Sequence, residues 1–462
     1  MNLSVHHNMQ PAILIIMMAS VVSLHPALHT CAWAQDQITE HQMTVIEAVR
    51  SALANNHEIR SMASASMAQG SDIGVARSYL LPKVTFEERY SRTTNPTYAF
   101  MDRLNQKRIT QQDFNPDLLN HPDAIGDYQT SFTVEQPLYV RKAFIGLDMS
   151  KKESLAKEDE LKRKQEDVAF QVIRSSLMII STKEYVQAVA KGVEEAKENL
   201  RIANLRYNNN LGQYSDTLRA STALMEAQQR KNSANKNLNL AKRALGLLLS
   251  TTEAVDVSDR TVDLPLKDLS LYVKVAESRS DIRAAQLREE NARQNIRMAE
   301  AGYFPYVGVG GTYQFNDHNR LLGSEGDSWQ VMAFLRWDLF DGTKREYERA
   351  KAIHLASQAN EQLAALKQGI SYRITEAYLN VDEARKNRDL AQEALKTAEE
   401  GARLVRLRYE NSLVSLADLL NTQTSLEQAR AGLLDRENSY ILAVATLSYE
   451  SGTILKDLNI ED

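Results

Sequence analysis

"RYNNNLGQYSD", residues 206–216, breaks a span that otherwise reads as helix, and "RYENSLVSLAD", residues 408–418, repeats its outline. The same break at a spacing of 202 residues (206 to 408) marks a duplicated chain in which a long helix turns back twice. Working outward, "EIRSMASASMAQGSDIGVARSYLLPKVTFEERY" (58–90) matches "DIRAAQLREENARQNIRMAEAGYFPYVGVGGTY" (281–313). That match pairs Ile59 with Ile282, Arg60 with Arg283, Pro82 with Pro305 and Tyr90 with Tyr313. Further on, Tyr128 pairs with Trp329, Leu138 with Leu339, Tyr207 with Tyr409 and Asp216 with Asp418. The offset shortens from 223 to about 202, so the first half holds about 22 extra residues between its strands, in the Pro/Asn/Asp-containing stretch 96–126, which reads as a loop.

Each half parses as a helix, two strands and a very long helical region. No proline interrupts 138–264 or follows Pro305, and proline inside a helix costs about 3 kcal/mol. Steps of four and three from Val168 give Val172, Ile179, Val186, Val193, Leu200 and Tyr207; from Ile370 they give Ile374, Val381, Arg388, Leu395, Ala402 and Tyr409. Both are heptad seams, with Arg388 the one clear violation. A helix of about 60 residues would reach roughly 90 Å, more than a compact globule needs.

In the expected first strand, about 82–95, Val84, Phe86 and Tyr90 alternate with Thr85, Glu87, Arg89 and Ser91, spoiled by Glu88. In the second, about 127–139, Tyr128, Phe132, Val134 and Leu138 oppose Gln129, Ser131, Thr133 and Glu135. The third, about 305–316, sets Val307, Val309, Tyr313 and Phe315 against Gly308, Gly310, Thr312 and Gln314. The fourth, about 328–340, sets Trp329, Val331, Leu335 and Trp337 against Gln330, Arg336 and Asp338, with Met332 and Phe334 blurring the polar side. Strands of about ten residues with one apolar, aromatic-ended face suit a bilayer crossing. Four strands cannot close a barrel, and open edges are not tolerated in lipid, so several chains must contribute strands.

The first 34 residues contain no Asp, Glu, Lys or Arg, and the apolar run Ala12 to Leu24 precedes Ala32-Trp33-Ala34, a small-x-small cleavage pattern. Residues 1–34 are therefore expected to be a secretory signal peptide. Cys31 is the only cysteine; lipidation there is the rival reading, against a poor lipobox at Leu28-His29-Thr30. With 43% hydrophobic and 25% charged residues and a net charge of −5, the chain fits neither disorder nor nucleic-acid binding. His41, His57, His121, His318 and His354 lie without metal spacing, and no nucleophile, phosphate-loop or cofactor motif appears. No enzyme, metal or cofactor is expected. An exported coiled-coil scaffold or adaptor without a pore is the alternative, and the strand faces weigh against it.

"YLLPKVTFEERY" and "GYFPYVGVGGTY" leading into first strands, "EQPLY" and "RWDLFDG" ending second strands, the two Arg-Tyr…Asp hairpins and the duplication resemble the TolC-like outer membrane factors, the outer membrane efflux proteins of Gram-negative bacteria. The resemblance spans nearly all of residues 43–455. It implies an α+β membrane protein: a homotrimer with a twelve-stranded transmembrane barrel continuous with a periplasmic helical barrel. The two repeats would be 35–250 and 276–450, with an equatorial segment at 251–275 and a tail at 451–462. The implied function is an outer membrane exit duct, passive and coupled to a periplasmic adaptor and an inner-membrane transporter.

In that family each hairpin reads Arg-Tyr, a Gly-Leu three positions on, and Asp six residues after the Gly. Here Asn210 and Ser412 stand at the Gly positions. The resemblance makes Asn210, Leu211, Ser412, Leu413 and Ser415 candidates for adaptor contact. It makes Asp418, Asn421 and Asp216 candidates for the aperture at the closed tunnel end. Asp216 matches the acceptor of an arginine latch whose donor position is Val414 here, so such a latch is not expected. Asp216 and Asp418 also suit an N-cap role at a returning helix.

Overall fold

The structure, a computed structural model, describes residues 41–258, 264, 266–411 and 413–460. The expected signal peptide and Cys31 lie outside the described residues, as does Ser412. The chain opens with β1 (His41–Met43), α1 (Val45–Asn55), α2 (His57–Ser78) and β2 (Lys83–Thr93). Next come α3 (Pro96–Asn105), a 3-10 turn (Gln111–Phe114), α4 (Pro116–Asn120), β3 (Ile125–Tyr139), α5 (Arg141–Asn208) and α6 (Tyr214–Leu248). Then follow β4 (Val255–Val257), α7 (Leu269–Ala276), α8 (Ser280–Glu300), a 3-10 turn (Ala301–Tyr303), β5 (Tyr306–Asp317) and β6 (Gly326–Arg336). Last are α9 (Lys344–Glu410), α10 (Leu416–Ser451) and α11 (Ile454–Asp457).

The stretch 96–126, read as loop, holds two helices. Both begin at Asn-Pro: the Asn95 and Asn115 side chains accept the first free N–H groups, and Pro96 and Pro116 occupy the first turn. Dipeptides that mark turns thus also start helices.

β2, β3, β5 and β6 form one antiparallel sheet in that order. Its register places Phe86 opposite Phe132 and Tyr90 opposite Tyr128, with ring centroids 5.2 and 4.6 Å apart. Side chains at facing positions share a side, so Phe86, Tyr90, Phe132, Tyr313, Trp329 and Val331 stand on one face. The other face carries Arg89, Gln129, Thr133, Thr312 and Gln330. Thr133 and Thr312 meet there through their hydroxyls at 3.1 Å. Each irregularity in the strand pattern has a partner. Glu88 accepts the Thr130 hydroxyl, while Phe334 lies over Gly308, where a Cβ would come within 2.8 Å of the ring.

At 68 residues, α5 is roughly 100 Å long, and α9 with 67 matches it. Each returns through its own antiparallel partner, α6 and α10. Of the two seams, Val168, Val172, Ile179, Ile370, Ile374 and Val381 are fully enclosed. They join Val45, Val49, Tyr272, Leu447 and Ile454 in the main apolar core, which draws on both halves and on the short elements between and after them. The parallel pair β1–β4 (Met43 opposite Val257) borders this core. Among the described residues no helix is long and apolar enough to cross a membrane.

Candidate functional site

The two hairpin tips are built alike. At the end of α5 the Leu211 N–H donates to the Arg206 carbonyl at 2.8 Å, and at the end of α9 the Leu413 N–H donates to the Arg408 carbonyl at 2.8 Å. At the first tip, where the residue before the donor is left-handed, this bond is a Schellman closure. Asn210 takes that position with φ +56°, a conformation asparagine adopts more readily than other non-glycine residues. Asn209 and Asn411, which sequence reasoning passed over, hold the same role in both repeats: each side-chain amide donates to the carbonyl four residues back, Leu205 or Leu407, at 2.8 Å. Their 202-residue spacing was the available signal.

Leu211 and Leu413 stand at the tips, 68% and 73% exposed. Ser415 is the N-cap of α10 and forms a capping box with Asp418: the Asp418 N–H donates to Ser415 Oγ at 3.2 Å, and Asp418 Oδ2 accepts from the Ser415 N–H at 3.2 Å. The N-cap role foreseen for Asp418 therefore belongs to Ser415, and Asp418 is the third helical residue. Asp216 is likewise third in α6, after Gln213, whose side chain makes no cap. Asp418 and Asn421 are both exposed, three residues apart on one side of α10, whereas Leu416 and Leu419 on the opposite side are buried.

Those buried residues join Ala203, Ala220 and Tyr409 in a small apolar cluster that holds the two hairpins together, with Val414 packed against it. Arg206 of the first repeat reaches Tyr409 of the second: Nη1 donates to its carbonyl at 2.8 Å, and the guanidinium lies 4.7 Å from the ring centroid. Burial pushes the Tyr409 pKa up, Arg206 opposes the rise and the Asp216 carboxylate adds to it. The Arg-Tyr pair that made the repeat recognisable is thus split between partners, the Arg of one copy gripping the Tyr of the other. Deeper along the seam, Asn199 Nδ2 donates to Gln423 Oε1 at 2.5 Å and the Glu195–Arg430 pair lies at 3.4 Å.

Far along the chain, Asp317, His318 and Glu325 bring one ligand atom each within 4.8 Å of one another, a grouping that their spacing did not reveal. Those groups are already engaged. His318 Nδ1 and Glu325 Oε2 are 2.7 Å apart, and Asp317 Oδ1 accepts from the N–H groups of Asn319 and Arg320 at 2.8 Å. They read as the polar closure of the β5–β6 turn.

The chain is similar to the outer membrane protein TolC of Vibrio cholerae, 18% identical over 440 residues, covering 92% of this chain and 93% of that one. Its fold is similar to that of a membrane protein from Pseudomonas aeruginosa, with TM-score 0.76 and 18% identity over 88% of this chain and 93% of that chain. The outer membrane channel CmeC of Campylobacter jejuni gives TM-score 0.74 and 16% identity over 89% and 86% of the two chains. The sequence pattern of the outer membrane efflux protein family matches residues 48–251 and 271–453, and the chain belongs to that family of TolC-like outer membrane transport proteins.

Proposed function

We propose that three copies of this chain form a passive exit duct through the outer membrane, coupled to a periplasmic adaptor and an inner-membrane transporter that supplies the energy. The observation that carries this reading is the sheet. Its order leaves β2 and β6 as edges with unpaired backbone groups, and Phe86, Tyr90, Trp329, Val331 and Leu335 are more than half exposed. An apolar face calls for lipid, and lipid forbids open edges. Four strands are too few for a barrel, since membrane barrels start at about eight. Three copies would give twelve.

The helical hairpins would extend this barrel into the periplasm. Leu211 and Leu413, apolar and exposed, suit docking of the adaptor, with Asn210, Ser412 and Ser415 beside them. Three copies of Asp418 and Asn421, with Asp216 behind them, would line the aperture. The test is the oligomeric state of protein extracted from outer membranes in mild detergent. Unboiled samples should migrate as a trimer that boiling converts to single chains. Recovery as a soluble periplasmic monomer would sink the proposal.

A further inference from the structure

The insertion between β2 and β3 has no counterpart between β5 and β6, where residues 318–325 make the connection. Its helix α3 is docked with the unexpected side inward. Ala99, Asp102, Arg103 and Gln106, spaced by three and four, face the protein. Gln106 is 1% exposed and donates Nε2 to the Gly126 carbonyl at 2.9 Å and to Asp127 Oδ1 at 2.8 Å. Asp127 Oδ2 in turn accepts from Asn316 Nδ2 at 2.7 Å. Asp127 and Asn316 project on the same side of the sheet as Gln129, by register, so α3 lies across the polar face. It does so at the end remote from the long helices, because β2 runs away from α2 and β3 runs back to α5. The far end of α3 reaches edge strand β6: the Asn105 carbonyl fills the space that a Cβ on Gly326 would occupy, and Lys107 pairs with Asp327 at 2.5 Å.

The opposite side of α3 carries Tyr98, Met101 and Leu104, 64%, 44% and 47% exposed, and the turn and α4 add Phe114 and Leu118 at 59% and 47%. A surface helix ordinarily buries its apolar stripe and shows its polar one. Here the reverse holds, and Asp102 Oδ2 is buried without a hydrogen-bond partner among the described residues. The helix is therefore shaped for a second apolar surface beyond its own sheet.

Resting on the trimeric duct reading, the polar side of the sheet faces the axis, so the apolar side of α3 faces the axis as well, away from lipid. The surface available to cover it there is the same one on the other two copies, continuous with the β6 edge where a neighbouring chain would pair. We propose that the three insertions pack against one another through Tyr98, Met101, Leu104, Phe114 and Leu118, forming an apolar plug across the outer mouth.

The purified oligomer tests this. Met101→Cys and Leu104→Cys chains, oxidised in detergent, should run as disulfide-linked species on denaturing, non-reducing gels, whereas Thr94→Cys and the unsubstituted chain should not. Replacing residues 97–120 by a short Gly/Ser linker should raise single-channel conductance in planar bilayers several-fold. If unboiled gels show an intact trimer yet neither cysteine cross-links and the shortened chain conducts like the parent, the plug is overturned and the duct stands. If unboiled gels show no oligomer, the duct reading falls and the plug with it.

Discussion

Ser415 Oγ donates to Asp418 Oδ2 at 2.7 Å while accepting from the Asp418 N–H, so this carboxylate starts a helix, and in the proposed duct it would also line the aperture. The two roles separate by substitution. Ser415→Ala removes the cap and should loosen the start of α10 by about 1 kcal/mol, seen as faster amide hydrogen exchange in its first turn. Asp418→Asn keeps an acceptor for Ser415 and removes the charge, so conductance should rise and block by multivalent cations should weaken. A Ser415→Ala channel whose cation block weakens as much as that of Asp418→Asn would remove the carboxylate from the aperture. Spacing alone gave both aspartates of the repeat the same N-cap role, because their spacing is equivalent. The difference lies three residues earlier, where Ser415 caps and Gln213 does not, and the S-x-x-D pattern of a capping box was legible there.

At the scale of elements, periodicity gave the long helices and the strand faces because both rest on local repeats of 3.6 and 2 residues. The exceptions to the pattern were visible in the sequence, but what accommodates each was not, since it depends on a partner distant in sequence. Arg388 sits in a seam with its guanidinium 4.6 Å from the Tyr440 ring and its Nη2 on Asp389 Oδ1 at 2.7 Å; a planar cation can lie along a helix groove where a compact ammonium cannot. The grip of Arg206 on Tyr409 belongs to the same class, a contact between repeats that one repeat cannot announce. Arg206→Ala removes a buried-side hydrogen bond and a ring contact, together worth roughly 1–2 kcal/mol. Amide exchange should then quicken in the last turns of α5 and α9 and stay unchanged around Ile173 and Ile374. Arg206→Lys, which keeps the charge and loses the planar stack, should fall between the two. Uniform exchange rates across parent and variants would show that the apolar cluster holds the tips unaided.

Across the whole molecule the short elements are pinned to the long helices where they meet, and charges do part of that pinning. Arg279, its side chain 2% exposed, meets Asp281 at 2.7 Å and Glu450 at 3.3 Å. Arg163 pairs with Glu166 at 2.5 Å and lies 4.0 Å from the Tyr449 ring centroid. Lys183 and Lys242 reach Asp256 at 2.9 and 3.2 Å. Burial works against the charge of Asp256, but Lys183 and Lys242 outweigh it and hold its carboxyl below the usual range. Burial likewise opposes the Asp281 charge, and Arg279 with Arg163 prevails. At Glu166 burial wins over Arg163 and the carboxyl is pushed up. The signs therefore differ. Asp256 and Asp281 contribute stability above their unfolded pKa of about 3.9, and it is lost as pH falls through their lowered folded values. Glu166 contributes its share at low pH and loses it as pH rises through its raised folded value. Asp256→Asn removes the carboxylate charge that Lys183 and Lys242 both meet, so its thermal midpoint should lie below that of the parent at pH 7. The gap should begin to close below the unfolded value of about 3.9 and vanish only below the lower pH at which the folded parent's Asp256 is protonated. Midpoints followed by tryptophan fluorescence from pH 7 to pH 3 would show it, and two parallel curves would mean that Asp256 titrates alike in the folded and unfolded chain.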